Sequence, residues 1–91
     1  MVINLIEKLR KEIDEVDEEI LKNLSKRKNL VREIAKLKKS MNLPVMDAER
    51  EKKVLDNLKN KAKEKRLNKK FVESIYKIVL KNSREEQKRN G

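Results

Sequence analysis

Apolar residues recur along the first forty residues with the seven-residue spacing of a long amphipathic helix. They fall into two interleaved registers: Ile6, Ile13, Ile20, Ile34 and Met41 in one, and Leu9, Val16, Leu30 and Leu37 in the other. A stripe of this kind packs one face of a helix against a partner and leaves the other faces in water. The pattern predicts an all-α chain whose first helix runs from about residue 4 to residue 40.

Two breaks divide the rest of the sequence into shorter helices. Pro44 disfavours helix at Leu43, and Asp47 is a favourable N-cap for the segment that follows. After a weaker break near residues 66–68, Asn68 can cap a third helix. We therefore predict helices over about residues 4–40, 48–65 and 69–88, all within one domain of residues 1–91.

The length of the first helix indicates an oligomer. At about 1.5 Å per residue it would extend roughly 55 Å, whereas a small domain is only ~30 Å wide. The second and third helices of the same chain could cover one side of it and would leave the rest of its stripe in water. A two-fold dimer buries both sides, and such dimers are the commonest oligomers. We expect a homodimer.

Composition supports long solvated helices and excludes several kinds of chemistry. Charged residues make up 46% of the chain, which suits helices whose outer faces lie in water, and there is no His and no Cys. Disulfides, thiolate nucleophiles, zinc sites and imidazole acid–base catalysis are therefore excluded, and no metal or cofactor is expected. The sequence has no apolar run of membrane-spanning length and no signal-peptide core, so we expect a cytoplasmic protein.

The charge balance indicates an anionic partner. Lys and Arg number 26 against 16 Asp and Glu, which gives a net charge of +10. Nucleic acid, an acidic membrane surface and an anionic small molecule are all compatible with this surplus. Most of the lysines only solvate helix faces, so the informative cations are those that interrupt the apolar stripe.

Arg27 occupies a position of the stripe where the heptad requires an apolar residue. An unpaired guanidinium is very unfavourable in such a place and needs an anion beside it. Lys38 lies three turns later and about 20° round the helix, so both cations face the same way. Arg10 points about 100° away from Arg27, and in a dimer it could serve the partner's site.

The two shorter helices also carry polar residues beside their apolar faces. Asp47, Arg50 and Glu51 open the second helix, and the stripe of the third continues into Ser83 and Gln87. Capping by Asp47 and fraying of the last turn into solvent would explain these residues separately. Together they could line one polar pocket that offers cations, carboxylates, a hydroxyl and an amide.

The chain resembles the all-helical (AroQ-type) chorismate mutases from about residue 5 to residue 88. The motifs that carry the resemblance are Leu9-Arg10-Lys11-Glu12-Ile13-Asp14, Asp17, Arg27, Lys36-x-Lys38, Pro44-Val45-x-Asp47-x-x-Arg50-Glu51 and Ser83-x-x-x-Gln87. They follow in the family's order and spacing without a gap. The resemblance implies an intertwined homodimer of three-helix chains, in which each active site takes one arginine from the partner chain.

The resemblance also implies a role for each candidate residue. Arg10, acting across the interface, and Arg27 would bind the two carboxylates of chorismate. Lys38 would reach a carboxylate and the ether oxygen, to which Gln87 would also donate, so Lys38, Gln87 and Arg27 are the expected catalytic residues. The residues expected to hold the ring hydroxyl or complete the polar wall are Asp47, Glu51, Arg50 and Ser83. Glu49, where relatives vary, is expected outside the site.

The chemistry implied by the resemblance fits a chain without His or Cys. Chorismate rearranges to prephenate, on the way to phenylalanine and tyrosine, by an intramolecular Claisen reaction that needs no nucleophile, metal or cofactor. The enzyme must hold a flexible dianion in its compact reactive conformer and place donors at the ether oxygen. Arginine suits the first task because its guanidinium binds carboxylates through two parallel hydrogen bonds.

Two alternatives to a chorismate mutase stay open at this point. An isochorismate pyruvate lyase of the same fold would use a similar cationic pocket for a related pericyclic reaction. A basic helical dimer that binds nucleic acid would explain the net charge, but not a cation at the stripe position of Arg27. The full motif set favours the mutase, for which chorismate is the expected partner, with no nucleic acid and no membrane.

Overall fold

The computed structural model describes residues 1–44 and 47–90 and shows a chain of helices. They are α1 (Val2–Ser40), α2 (Ala48–Glu64) and α3 (Lys69–Asn90), and the described residues contain no strand. The predicted all-α fold with one long and two shorter helices is confirmed, and each boundary lies within two residues of its predicted position. Val45, which belongs to one of the predicted motifs, lies outside the described residues.

α1 ends in a hydrogen-bonded turn that fixes the position of Lys38. The backbone N–H of Leu43 donates to the carbonyl of Lys38 at 2.8 Å, and that of Asn42 donates to the carbonyl of Lys39 at 3.3 Å. Asn42 has φ 56°, a left-handed conformation that Asn tolerates better than most residues. These two bonds satisfy carbonyls that a helix end would otherwise leave without donors.

α2 ends in the same way, but with a less favourable residue in the left-handed position. Leu67 N–H donates to the carbonyl of Ala62 at 2.8 Å, and Arg66 N–H donates to that of Lys63 at 3.2 Å. Arg66 has φ 58° and lacks the local hydrogen-bonding side chain that helps Asn in this conformation. The turn therefore depends on its hydrogen bonds rather than on an intrinsic preference of its central residue.

Both predicted N-caps are confirmed. Asp47 Oδ1 accepts from the backbone N–H of Arg50 at 3.0 Å at the start of α2. Asn68 Oδ1 accepts from the backbone N–H of Phe71 at 3.1 Å at the start of α3. Each cap satisfies a donor that the first helical turn leaves without an intrahelical partner.

The chain divides into two compact units, Met1–Leu30 (unit 1) and Val31–Gly91 (unit 2). Unit 1 consists of the larger part of α1, and none of its thirty residues is buried. Its apolar stripe is well exposed, with Leu9, Ile13 and Val16 each at 57%. Unit 1 therefore has no hydrophobic core of its own.

Unit 2 has a small core made by all three helices. Among the described residues, the buried apolar ones are Val31 and Ala35 of α1, Ala62 of α2, and Val72 and Leu80 of α3. The short turn between α2 and α3 makes the two helices antiparallel, and cross-helix pairs follow that order. Lys59 meets Glu73, whereas Glu51, nearer the start of α2, meets Arg84 further along α3.

Glu73 of α3 lies between two lysines. Its carboxylate oxygens pair with Nζ of Lys59 from α2 and with Nζ of Lys77 one turn on in α3, both at 3.1 Å. The hydrogen bond from Lys59, with a further one from Lys77, lowers the pKa of the Glu73 carboxyl below its usual range. The folded state therefore stabilises the ionised form of the Glu73 side chain more than the unfolded state does.

We expect Glu73→Gln to destabilise unit 2 in a pH-dependent way. Because the folded-state pKa of Glu73 is depressed, its contribution is present above the unfolded-state pKa of about 4.3 and is lost as pH falls through the folded value. Urea unfolding should show the variant less stable than wild type at neutral pH, with the difference shrinking in acid. Glu85→Gln, at an exposed position of α3, is the control. A difference that persists unchanged in acid would contradict this assignment.

Candidate active site

Lys38 and Gln87, the two residues expected at the ether oxygen, are in contact. Nζ of Lys38, in the last turn of α1, donates to Oε1 of Gln87, near the end of α3, at 3.2 Å. Both side chains are half-buried. Because Oε1 is the acceptor in this contact, the Nε2 amide is the part of Gln87 that can donate to another molecule. The contact thus joins an ammonium and an amide donor from distant parts of the sequence.

An open cavity lies beside Lys38. Its volume is about 440 Å³, and its walls are Lys38, Leu43, Pro44, Asp47, Ala48 and Glu49. A cavity of this size suits a small molecule. Part of the wall is the first turn of α2, where backbone N–H groups and the helix dipole favour negative charge. The cavity therefore places a cation and a helix N-terminus beside the carboxylates of Asp47 and Glu49, and Asp47 already accepts from the Arg50 N–H.

Glu49 of α2 also lies on the wall of this cavity. It shares that wall with Lys38 and Asp47, whereas the sequence predicted it outside the site. The physical reason is that the first turn of α2 directly follows the wall formed by Pro44 and Asp47. The carboxylate of Glu49 therefore contributes negative charge to the wall of the cavity.

Glu51 of α2 is held by a residue that the sequence analysis did not single out. Nη1 of Arg84, from α3, donates to Oε1 of Glu51, and the side chains are 31% and 22% exposed respectively. Arg84 directly follows Ser83 and stands three residues before Gln87, a spacing that places it on a neighbouring part of the same helix surface. That spacing is the signal by which Arg84 could have been found.

A second unforeseen pair fastens α3 to α1. Nε of Arg32 lies 3.1 Å from Oε2 of Glu86, and Glu86 is only 8% exposed. Glu86 is the immediate neighbour of Gln87, so this pair fixes the turn of α3 from which Gln87 reaches Lys38. Burial of a charged group needs such a partner, because an unpaired buried carboxylate is strongly destabilising.

The other predicted residues of unit 2 have different surroundings. Ser83 is buried, and its hydroxyl donates to the carbonyl of Val79 at 2.9 Å. Arg50 is exposed in the first turn of α2, where its backbone N–H is capped by Asp47. Asp47 therefore both caps α2 and lines the cavity.

Arg10 and Arg27 belong to unit 1. Nη1 of Arg10 pairs with Oε1 of Glu7 at 2.9 Å on an exposed surface. Arg27 and its neighbour Lys28 are half-buried, whereas every other residue of unit 1 is exposed. Partial burial of the Arg27 side chain agrees with its place in the apolar stripe. A core position would be buried more completely.

No group of three or more carboxylate, His or Cys side chains within residues 1–44 and 47–90 could hold a metal ion. In the same part of the chain, no helix is both long enough and apolar enough to cross a membrane.

Comparison with known proteins decides the family. The sequence pattern described as chorismate mutase type II matches residues 9–88, which include all eight candidate site residues. The chain belongs to the type II chorismate mutase family. This confirms the family predicted from the motifs and makes the chain an isomerase, while the roles of the individual residues stay predictions.

Individual proteins similar to this chain are also chorismate mutases. A chorismate mutase of Methanocaldococcus jannaschii is 31% identical over 87 residues, covering 96% of this chain and 88% of that protein. A bifunctional chorismate mutase/prephenate dehydratase of Buchnera aphidicola subsp. Schizaphis graminum is 38% identical over 74 residues, covering 81% of this chain. That match takes in only 19% of the bifunctional protein, so the chain spans about a fifth of its length.

A solved structure shares the fold. A conserved hypothetical protein from Pyrococcus furiosus superposes with a TM-score of 0.71 at 35% sequence identity. The match covers 90% of this chain and 93% of that one. The all-helical architecture is thus shared over nearly the full length of both chains.

Proposed function

We propose that this chain catalyses the rearrangement of chorismate to prephenate, a step towards phenylalanine and tyrosine, in the cavity beside Lys38. The observation that carries the proposal is the contact between Lys38 Nζ and Gln87 Oε1 in a member of the chorismate mutase family. It supplies an ammonium and an amide donor together. A breaking ether bond needs such groups, because negative charge grows on its oxygen.

Binding of the substrate is proposed to depend on cations. Chorismate carries two carboxylates on a flexible carbon skeleton. The reaction requires that skeleton to adopt a compact conformer. Arginine side chains can clamp a carboxylate through two parallel hydrogen bonds, which restricts both position and orientation. We assign this task to Arg27 and to Arg10 of a second chain, on the support of the family resemblance.

The electrostatic step is assigned to Lys38 and Gln87. An ammonium group has three N–H donors, so Lys38 can keep its bond to Gln87 and still donate to the substrate. Because Gln87 accepts through Oε1, its Nε2 remains a donor that the substrate can use. Donors fixed before the reaction stabilise the developing oxyanion without reorganising in the transition state. No proton transfer, nucleophile or metal takes part in this mechanism.

The hydroxyl end of the substrate is assigned to the start of α2. Glu51 is the acceptor that we assign to the ring hydroxyl, and Asp47, four residues earlier in the chain, lies on the cavity wall. Arg50 and Ser83 complete the polar wall in this proposal. A carboxylate that accepts from the hydroxyl would orient the ring relative to the two donors of the ether oxygen.

We further propose that two chains pair through the apolar stripe of α1. The support is the exposure of Leu9, Ile13 and Val16 in unit 1, which would leave a long row of aliphatic side chains in water. A second copy fits this stripe because the heptad that defines it is self-complementary about a two-fold axis. A cytoplasmic location and the lack of nucleic-acid and membrane partners stay predictions from the sequence.

Substitution of the proposed donors should remove activity. We expect Lys38→Ala and Arg27→Ala each to lower kcat/KM for chorismate by about 10²–10³-fold, because each removes a charge-stabilising contact. The matched controls are Lys39→Ala and Lys26→Ala, at exposed neighbouring positions. Chorismate loss is followed by absorbance, and circular dichroism verifies the helices. Near-normal chorismate turnover by a folded Lys38→Ala variant would contradict the proposal. So would release of pyruvate from isochorismate by the wild-type chain at a higher rate than its turnover of chorismate.

A subunit-mixing experiment tests the role of Arg10. Arg10→Ala and Lys38→Ala chains, unfolded and refolded together, should form heterodimers with one doubly defective and one intact site. Random pairing would restore about one quarter of wild-type activity. Lys38→Ala mixed with Gln87→Ala is the control, because these residues contact each other within one chain and every site keeps a defect. If both mixtures behave alike, Arg10 does not act across the interface.

The pH profile tests the donor role of Gln87. The amide does not titrate and the chain has no His, so kcat/KM should be nearly flat between about pH 6 and 8. Gln87→Glu introduces a carboxyl with an ordinary pKa of about 4.3, which donates only when protonated. Its kcat/KM should fall as pH rises, because the ionised form repels the ether oxygen. A flat profile for Gln87→Glu would show that Gln87 is not the donor.

A further inference from the structure

Arg84 is a half-buried cation that the proposed chemistry does not yet use. It lies on α3, and its Nη1 donates to Oε1 of Glu51 on α2. Both partners are largely shielded, with 31% and 22% of their side chains exposed. Glu51 is the carboxylate assigned to the ring hydroxyl, so Arg84 contacts a proposed substrate ligand.

We propose that Arg84 is a positioning residue for substrate binding, which holds Glu51 by Oε1 and offsets its negative charge. The inference rests on the proposed function of the site. Arg84 acts through Glu51 and does not itself touch the substrate. It defines the acceptor that the ring hydroxyl meets.

The first reason is geometric. A glutamate side chain has three rotatable bonds, and an unheld carboxylate would sample many positions before a ligand arrives. The contact with Arg84 restricts these positions. A carboxylate has two oxygens, each able to accept more than one hydrogen bond, so occupation of Oε1 leaves Oε2 able to accept from a hydroxyl. Substrate then binds to an acceptor that is already ordered.

The second reason is electrostatic. Chorismate is a dianion, and an unpaired carboxylate in its pocket would repel it. Shielding from solvent strengthens this repulsion, because charges interact more strongly where water screens them less. The guanidinium of Arg84 balances the carboxylate of Glu51. Glu51 can then supply a hydrogen-bond acceptor without adding net negative charge to the site.

The third reason is the place of Arg84 in α3. Residues 84–87 form one turn of the helix, and that turn contacts both of its neighbours. Arg84 reaches Glu51 on α2, while Gln87 reaches Lys38 on α1. A single rigid turn therefore links the acceptor proposed for the ring hydroxyl to the donors proposed for the ether oxygen.

A second ion pair between the same helices provides a matched comparison. Lys59 of α2 and Glu73 of α3 pair at 3.1 Å, with 34% and 28% of their side chains exposed. Lys59 lies eight residues along α2 from Glu51, about 12 Å by the helical rise. This pair involves no candidate site residue. It represents what an α2–α3 ion pair contributes to packing alone.

A double-mutant cycle separates positioning from packing. The variants are Arg84→Gln, Glu51→Gln and their combination, with Lys59→Gln as the packing control. We expect Arg84→Gln to lower kcat/KM about tenfold, mainly through KM, because the lost interaction concerns binding in ground and transition states alike. In the Glu51→Gln background the same substitution should change kcat/KM by less than about twofold. Lys59→Gln should leave both constants within about twofold of wild type.

Conservative replacement and stability measurements complete the test. Arg84→Lys keeps the charge but loses the forked geometry, so it should recover part of the loss in KM. If Arg84→Gln does not fold, Arg84→Lys is carried through the same cycle. An equal loss in both Glu51 backgrounds, or no loss at all with an active wild type, would overturn the role of Arg84. Lack of chorismate turnover by the wild-type chain would instead overturn the proposed function.

Discussion

The shortage of buried apolar volume determines how unit 2 is built. Its core contains only small and medium side chains among the described residues: Val31, Ala35, Ala62, Val72 and Leu80. A core of this extent supplies little apolar burial to hold the three helices together. Long polar side chains bridge them instead: Arg32 to Glu86, Lys38 to Gln87, Arg84 to Glu51 and Lys59 to Glu73. The polar bridges are therefore part of the fold as well as part of the candidate site.

This construction couples assembly of the site to the packing of α3. The last turns of α3 meet α1 through Glu86 and Gln87 and meet α2 through Arg84. A site whose groups are held by their own mutual contacts is ordered before substrate arrives, which is what electrostatic stabilisation of a transition state requires. A single substitution of one of these residues would therefore alter the packing of α3 together with any contact it makes in the proposed site.

Local rules predicted the three helices, and the family spacing proposed a set of site residues, of which the structure brings Lys38 and Gln87 into contact. Heptads located α1, and Asp47 and Asn68 located the starts of α2 and α3. The partners of Glu51 and Glu86 were not predictable, because a long side chain can reach several neighbours and only the packed helices select one. The left-handed Arg66 was missed for a similar reason: its conformation follows from the closing hydrogen bonds of the turn, whereas the usual glycine signal is absent.

The two helix-ending turns differ in how much change of length they should tolerate. The connection from α1 to α2 includes Leu43, Pro44 and Asp47, which line the cavity together with Lys38 from the last turn of α1. An inserted or deleted residue there would move the wall of the pocket relative to its own cation. The turn around Arg66 lies at the opposite end of α2, roughly 25 Å from Asp47 by the helical rise. Natural variation in loop length, fusion points and inserted segments should therefore collect at the α2–α3 turn and avoid the α1–α2 connection.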